Sequence, residues 1–158
     1  MPKMLTLSQS DKRWSTNKIG KSSLTIGRWG CTLTSLSMLS SFYGCYKSPA
    51  ELSAIPGLFT PQGLLIWGMV EKVFKGKIKF VFRYGQGNKA VRNDKAIRDS
   101  ILNSPKTSVI LEVRNHSHWV VATGVYGNDY YCVDPIDGQR KLVLKAFGNI
   151  TGSAHLTA

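Results

Sequence analysis

"HWVVATGVYGNDYYCVDP", residues 118–135, reads as two strands joined by a tight turn. The runs from His118 to Tyr126 and from Asp129 to Val133 are rich in Val, Thr and aromatic side chains, which suit a pleated surface. Tyr126-Gly127-Asn128-Asp129 between them marks a hairpin. Its register decides which side chains share a face. With a three-residue loop of Tyr126, Gly127 and Asn128, Val125 faces Asp129. Asp134 then falls opposite Val120, diagonal to His118 and on the same face. Diagonal neighbours have Cα atoms about 7–8 Å apart, within reach of two side chains leaning together. A two-residue loop would turn Asp134 to the other face. Asn128 tolerates left-handed backbone and favours the longer loop.

Outward from this hairpin the chain divides in two. "TSVILEV" (107–113) and "KLVL" (141–144) add further strands on the C-terminal side. On the N-terminal side the apolar period is helical. Leu33, Leu36, Leu39 and Phe42 recur at spacings of three, predicting a helix over 30–43 that Gly44 ends. "SPAE" (48–51) is a compact start signal, with Ser48 as cap, Pro49 in the first turn and Glu51 closing a capping box. A third helix is expected from Thr60-Pro61 to Gly76. "KIKFVFRY" (77–84) alternates basic and apolar, a strand whose core face would carry Ile78, Phe80, Phe82 and Tyr84. A fourth helix over about 93–103 takes Asn93 as cap and is expected to bury Ile97, Ile101 and Leu102. Helices first and antiparallel strands later predict one α+β domain over residues 1–158, with N-terminal helices packed on a C-terminal antiparallel sheet.

Composition narrows the function classes. The 42% hydrophobic and 19% charged content belongs to a globular chain, and no apolar run approaches the length of a membrane span. "MPKMLTLSQSDKRW" lacks the apolar core and cleavage site of a signal peptide, so cytoplasmic synthesis is expected, with release or delivery to a cell wall as the later step. Lys and Arg outnumber Asp and Glu by 21 to 9. Residues 72–98 concentrate this excess, with nine basic residues against Asp94 alone. Such a field favours contact with anionic polymers or a membrane surface. Phe74, Phe80, Phe82 and Tyr84 within it raise the alternative of a non-enzymatic nucleic-acid or peptide-binding module.

Three cysteines make no disulfide framework and no zinc spacing. His116 and His118 form an HxH pair without a third ligand nearby, so no metal or cofactor is expected. Cys31 differs from Cys45 and Cys132 in its place. It opens the predicted helix, where free N–H groups and the helix dipole favour a thiolate. Gly30 before it would let another chain pass close to the sulfur. A cysteine nucleophile needs a base and a group to orient the base. His118 adjoins the apolar run that would hold it still, and Asp134 can reach it if the hairpin register is right. His155, in the C-terminal tail, is expected to be peripheral. The Cys31 N–H and the side-chain amide of Gln9 could meet the negative charge that develops on a carbonyl oxygen.

The order Gln9, Cys31, His118, Asp134 resembles the C39-like peptidases, a bacterial and phage branch of the papain-like cysteine peptidases. "LSQSDKRWSTNKIG" is similar to the family's Gln-x-Asp-x-x-Trp opening, "TIGRWGCTLTSLSMLSSFYG" to its nucleophile helix, and "HWVVATGV" with "VDP" to its base strand and orienting carboxylate. The resemblance implies a papain-like fold, Cys31 as nucleophile, His118 as base and then acid, Asp134 as orienter and Gln9 as oxyanion donor. Small size and positive charge suit a cell-wall-degrading endopeptidase of the endolysin type, acting on peptidoglycan peptides. Processing of protein or leader peptides is the alternative.

Overall fold

The computed structural model describes residues 3–85 and 92–158; Lys89 of the basic run lies outside them. Two short helices open the chain, α1 (Ile26–Trp29) and α2 (Cys31–Phe42), followed by α3 (Pro49–Ser53). The Ser48–Glu51 capping box is present, Ser48 accepting from the Glu51 N–H and Glu51 from the Ser48 N–H. The long third helix is not. Phe59 and Leu65 pair in an isolated bridge, and only a 3-10 turn at Trp67–Met69 and α4 (Val70–Val73) are helical. Pro61, Gly63 and Gly68 fragment the apolar run, and Gly63 sits at a φ of 84° that interrupts any helix.

Six strands then make one antiparallel sheet in the order β1-β6-β2-β3-β4-β5. They are β1 (Lys79–Tyr84), β2 (Thr107–Val113), β3 (His118–Tyr126), β4 (Asp129–Asp134), β5 (Gln139–Leu142) and β6 (Gly152–Thr157). Two helices interrupt them, α5 (Asp94–Leu102) and α6 (Val143–Phe147). "KLVL" therefore splits, Leu142 ending β5 and Val143 opening α6. The molecule is α+β, with helices on both faces of the sheet rather than on one.

Strand β2 shows why both faces are covered. Ile110 joins a core with Leu33, Leu36 and Leu39 of α2, while Val109, Leu111 and Val113 join a second core with Ile97 and Ile101 of α5. A strand buried on both sides reads as an unbroken apolar run. Truncating any of these buried leucines to alanine costs about 2–5 kcal/mol. Asn93 caps α5 through the Ala96 N–H, but Leu102 is 72% exposed, turned away at the helix end.

The C-terminal tail is part of the sheet. It forms β6, between β1 and β2, and His155 is buried there rather than peripheral. Both its ring nitrogens meet serine hydroxyls, Ser100 and Ser153, and burial pushes its pKa down to about 4, leaving it neutral. Strand β1 departs from simple alternation because of a bulge between Phe80 and Phe82. Phe80 packs on Trp67, whereas Phe82 stacks on His155 on the opposite face at 4.6 Å. Arg83, expected outside, lies over Trp119 and Trp67. Phe74 and Phe80 of the basic run pack in the core, whereas Phe82 keeps 39% of its surface exposed. Among the described residues the run's exposed cations are Lys72, Lys75, Lys77, Lys79 and Lys95, the last paired with Asp99, while half-buried Arg92 pairs with Asp94. No helix of the described residues is long and apolar enough to cross a membrane.

Candidate active site

Cys31 begins α2 immediately after α1 ends, with Gly30 at the joint. A Cβ at Gly30 would stand 2.5 Å from the Ile26 carbonyl oxygen. Gly30 is required by the chain's own turn between two helices, which corrects the expectation that it clears the way for another chain. The joint leaves Cys31 in the first turn of α2, its N–H without an acceptor among the described residues. Helix α2 is buried nearly all round, and small side chains permit this. Ser37 donates to the Lys47 carbonyl at 2.6 Å and Ser40 to Ser37 at 2.7 Å. Thr34 and Ser35 are buried without partners.

His118 opens β3, and its Nε2 meets Asp134 Oδ1 at 2.7 Å, with both residues buried. Their meeting has a different cause from the one expected. The loop has two residues, Tyr126 facing Asp129, a register that would carry Asp134 to the wrong face. A bulge at Thr123 then takes up one residue, so that Ala122 pairs with Cys132 and Val121 with Val133. Asp134 comes opposite Val120 after all.

Asp134 is fully buried and holds four donors. Besides His118 it accepts from the Ile136 N–H at 3.0 Å and from Lys141 Nζ at 2.7 Å, while its carbonyl accepts from the Gly138 N–H at 2.7 Å. Burial alone would raise its pKa; the hydrogen bonds from His118, Lys141 and Ile136 outweigh that and bring it down to about 2. The carboxylate is therefore ionised throughout the neutral range. For His118 the balance runs the other way. Burial favours the neutral ring, but the Asp134 hydrogen bond, then the hydrogen bond and charge of Cys31, raise the pKa to about 9. Asp134 occupies Nε2, so Nδ1 is the nitrogen left for the sulfur. Among the described residues the only aligned polar contact of the Cys31 sulfur within 4 Å is Thr32 Oγ1 at 3.9 Å, so thiol and imidazole are neighbours without an aligned bond.

Lys141 was not foreseen. Its signal lay in the next hairpin: Asp134 pairs with Gln139, which puts Lys141 diagonal to Asp134. Asp137 steadies its ammonium at 3.0 Å.

Gln9 is brought to the same place by the N-terminal arm. Its N–H donates to the Pro135 carbonyl at 2.7 Å, beside Asp134, and its Nε2 to the Gly27 carbonyl at 3.2 Å, in α1 beside Cys31. Trp14, buried, donates its indole N–H to Ser8 at 2.8 Å and keeps the arm in position. The Gln9 amide keeps one N–H uncommitted, and its buried Oε1 has no partner. The fold thus gathers Gln9, His118 and Asp134 around the start of α2.

Cys31 also lines a cleft of about 230 Å³, walled by Trp29, Phe59, Leu64 and Trp119. Trp29 and Leu64 are exposed at its rim. His116 lines it as well, but not from the strand: it sits in the β2–β3 turn, where Arg114, Asn115 and His116 have φ of 53°, 52° and 69°. Left-handed backbone costs on the order of 1 kcal/mol per ordinary residue. His116 Nδ1 meets buried Glu112 at 2.7 Å, so the two histidines engage different carboxylates. No family model matches the chain, and neither does any curated protein.

Proposed function

We propose that this chain is a cysteine peptidase of papain-like fold that hydrolyses amide bonds through Cys31, His118 and Asp134. One observation carries the reading: a buried histidine–aspartate pair whose remaining ring nitrogen is free for a cysteine at the start of a buried helix. In this mechanism the proton shared by the pair rests on His118 Nδ1, in keeping with the raised pKa of that ring, and the Cys31 sulfur attacks a carbonyl carbon. The carbonyl oxygen becomes an anion met by the Cys31 N–H and the uncommitted Gln9 N–H. His118 gives its proton to the departing amine, the C–N bond breaks, and a thioester remains on Cys31. Water, deprotonated by His118, attacks the thioester and releases the carboxylic acid and the thiol. Asp134 holds the ring and balances its positive charge throughout, while Lys141 and the Ile136 N–H keep Asp134 from turning.

For substrate we propose the peptides of a bacterial cell wall. The exposed Lys72, Lys75, Lys77 and Lys79 support this, since acidic wall polymers carry the complementary charge. The apolar walls of the cleft favour a second reading, a protein substrate with a large aliphatic or aromatic side chain near the cleaved bond. Incubation with purified peptidoglycan and, separately, an unfolded protein distinguishes them. New amine termini found by mass spectrometry with the wild type, and none with Cys31→Ala, are expected from peptidoglycan. Release from the protein alone would move the substrate to the second reading. Release from neither, or equal release by Cys31→Ala, would overturn the peptidase assignment.

A further inference from the structure

The cleft that Cys31 lines carries an imidazole that the proposed chemistry does not use. His116 is half-exposed, lines the same cleft as Cys31, and is held in an unfavourable backbone conformation. Its surroundings over-determine that position. Its N–H donates to Thr151 Oγ1 at 3.1 Å, and its Nδ1 is engaged by Glu112, which is buried. Glu112 is itself fixed by Thr151 Oγ1 at 3.3 Å and by the Arg83 guanidinium at 3.6 Å, and that guanidinium lies over the Trp119 wall of the cleft. A carboxylate accepts from Nδ1–H, which selects the tautomer whose acceptor lone pair lies at Nε2. Among the described residues nothing bonds to that nitrogen.

We infer that His116 is a specificity-determining residue whose Nε2 accepts a hydrogen bond from a main-chain N–H of the peptide lying in the cleft. The inference rests on the peptidase reading. The side chains of Trp29, Leu64 and Trp119 offer a peptide apolar surface, and His116 on the same cleft offers it a hydrogen-bond acceptor. Glu112, with Arg83 to offset its charge, sets the tautomer that makes Nε2 an acceptor. Strained backbone that persists under such cross-bracing is commonly tied to function.

Two alkylating probes test this. Alkylation is followed at Cys31 by peptide mass spectrometry, because Cys45 is also a free and partly exposed thiol. Iodoacetamide then reads the reactivity of the Cys31 sulfur without peptide seating, and acetyl-Leu-Ala chloromethyl ketone reads the sulfur together with seating. His116→Asn is the variant of choice because asparagine tolerates the left-handed backbone; a thermal-unfolding measurement accompanies it. The expected result is an iodoacetamide rate within about twofold of wild type and a ketone rate about tenfold lower, the size of one hydrogen bond. Ketones N-methylated at each backbone nitrogen in turn should include one that loses the same factor against the wild type and nothing further against His116→Asn. An unchanged ketone rate, an equal loss with both probes, or N-methylation without effect at every nitrogen would overturn the assignment. If the wild-type sulfur reacts with iodoacetamide no faster than in His118→Ala, the peptidase reading itself falls, and this inference with it.

Discussion

Two histidines, two residues apart, each bind a buried carboxylate at 2.7 Å, yet their settings differ. His118 opens a central strand and is sealed by Phe147 at 5.8 Å, with Asp134 wholly enclosed. His116 stands on a left-handed turn with half its side chain in solvent. Burial separates their roles. An enclosed pair keeps its geometry and its charges unscreened, as proton transfer requires. A half-exposed ring on a braced turn can meet an incoming molecule. On the proposed reading, the same two side-chain types serve chemistry in one place and recognition in the other.

The comparison breaks most sharply by deletion of each ring. His118→Ala should lower kcat/KM by about 10³ or more, since base and acid vanish together, whereas His116→Asn should lower it by about tenfold. Stability should also part them. The folded pKa of His118 is raised from 6.5 to about 9, so its contribution is complete below about pH 6.5 and is lost as pH rises through 9. Chemical denaturation at pH 6 and pH 9.5 should show the wild type losing about 2 kcal/mol more than His118→Gln. Asp134 acts at the other end. Its pKa of about 2 means that its contribution, complete above about pH 4, is lost as pH falls through 2.

Smaller changes sharpen the picture. Gln9→Ala should reduce kcat by about 10² with little change in KM, the effect of one lost oxyanion donor. Lys141→Met removes a charged donor, 2.7 Å away, from enclosed Asp134 and should cost about 1–2 kcal/mol in unfolding free energy, whereas Glu112 of the other pair has its cation, Arg83, at 3.6 Å. Deletion of Thr123 should matter least. It removes the bulge but leaves Val121 opposite Val133, so activity should stay within about threefold of wild type.

The register of the β3–β4 hairpin shows where sequence reading succeeds by the wrong route. Period-two alternation located both strands and brought Asp134 to the face of His118, but through a three-residue loop that does not exist. The loop is short and the bulge restores the register, and a bulge leaves little trace in a chain whose apolar run continues through it. The α2 helix and the Ser48 cap were legible because both are local patterns. The extent of helix over 60–76 was not, since Pro61, Gly63 and Gly68 compete with its apolar period and only packing settles the contest. Lys141, Glu112 and the position of His155 depend on neighbours distant along the chain.

By itself the sequence determined the elements whose cause lies within a few residues: the α2 helix starting at Cys31, the capping box, the strand pair and the concentration of positive charge. Tertiary structure alone decided which groups meet. Asp134 enters its pair through a bulge, Lys141 through strand pairing, and His116 through a turn braced by Thr151 and Glu112. The physical reason is range. Backbone preference and side-chain period act over one or two turns of chain, whereas burial, charge pairing and pKa depend on what the folded sheet places alongside.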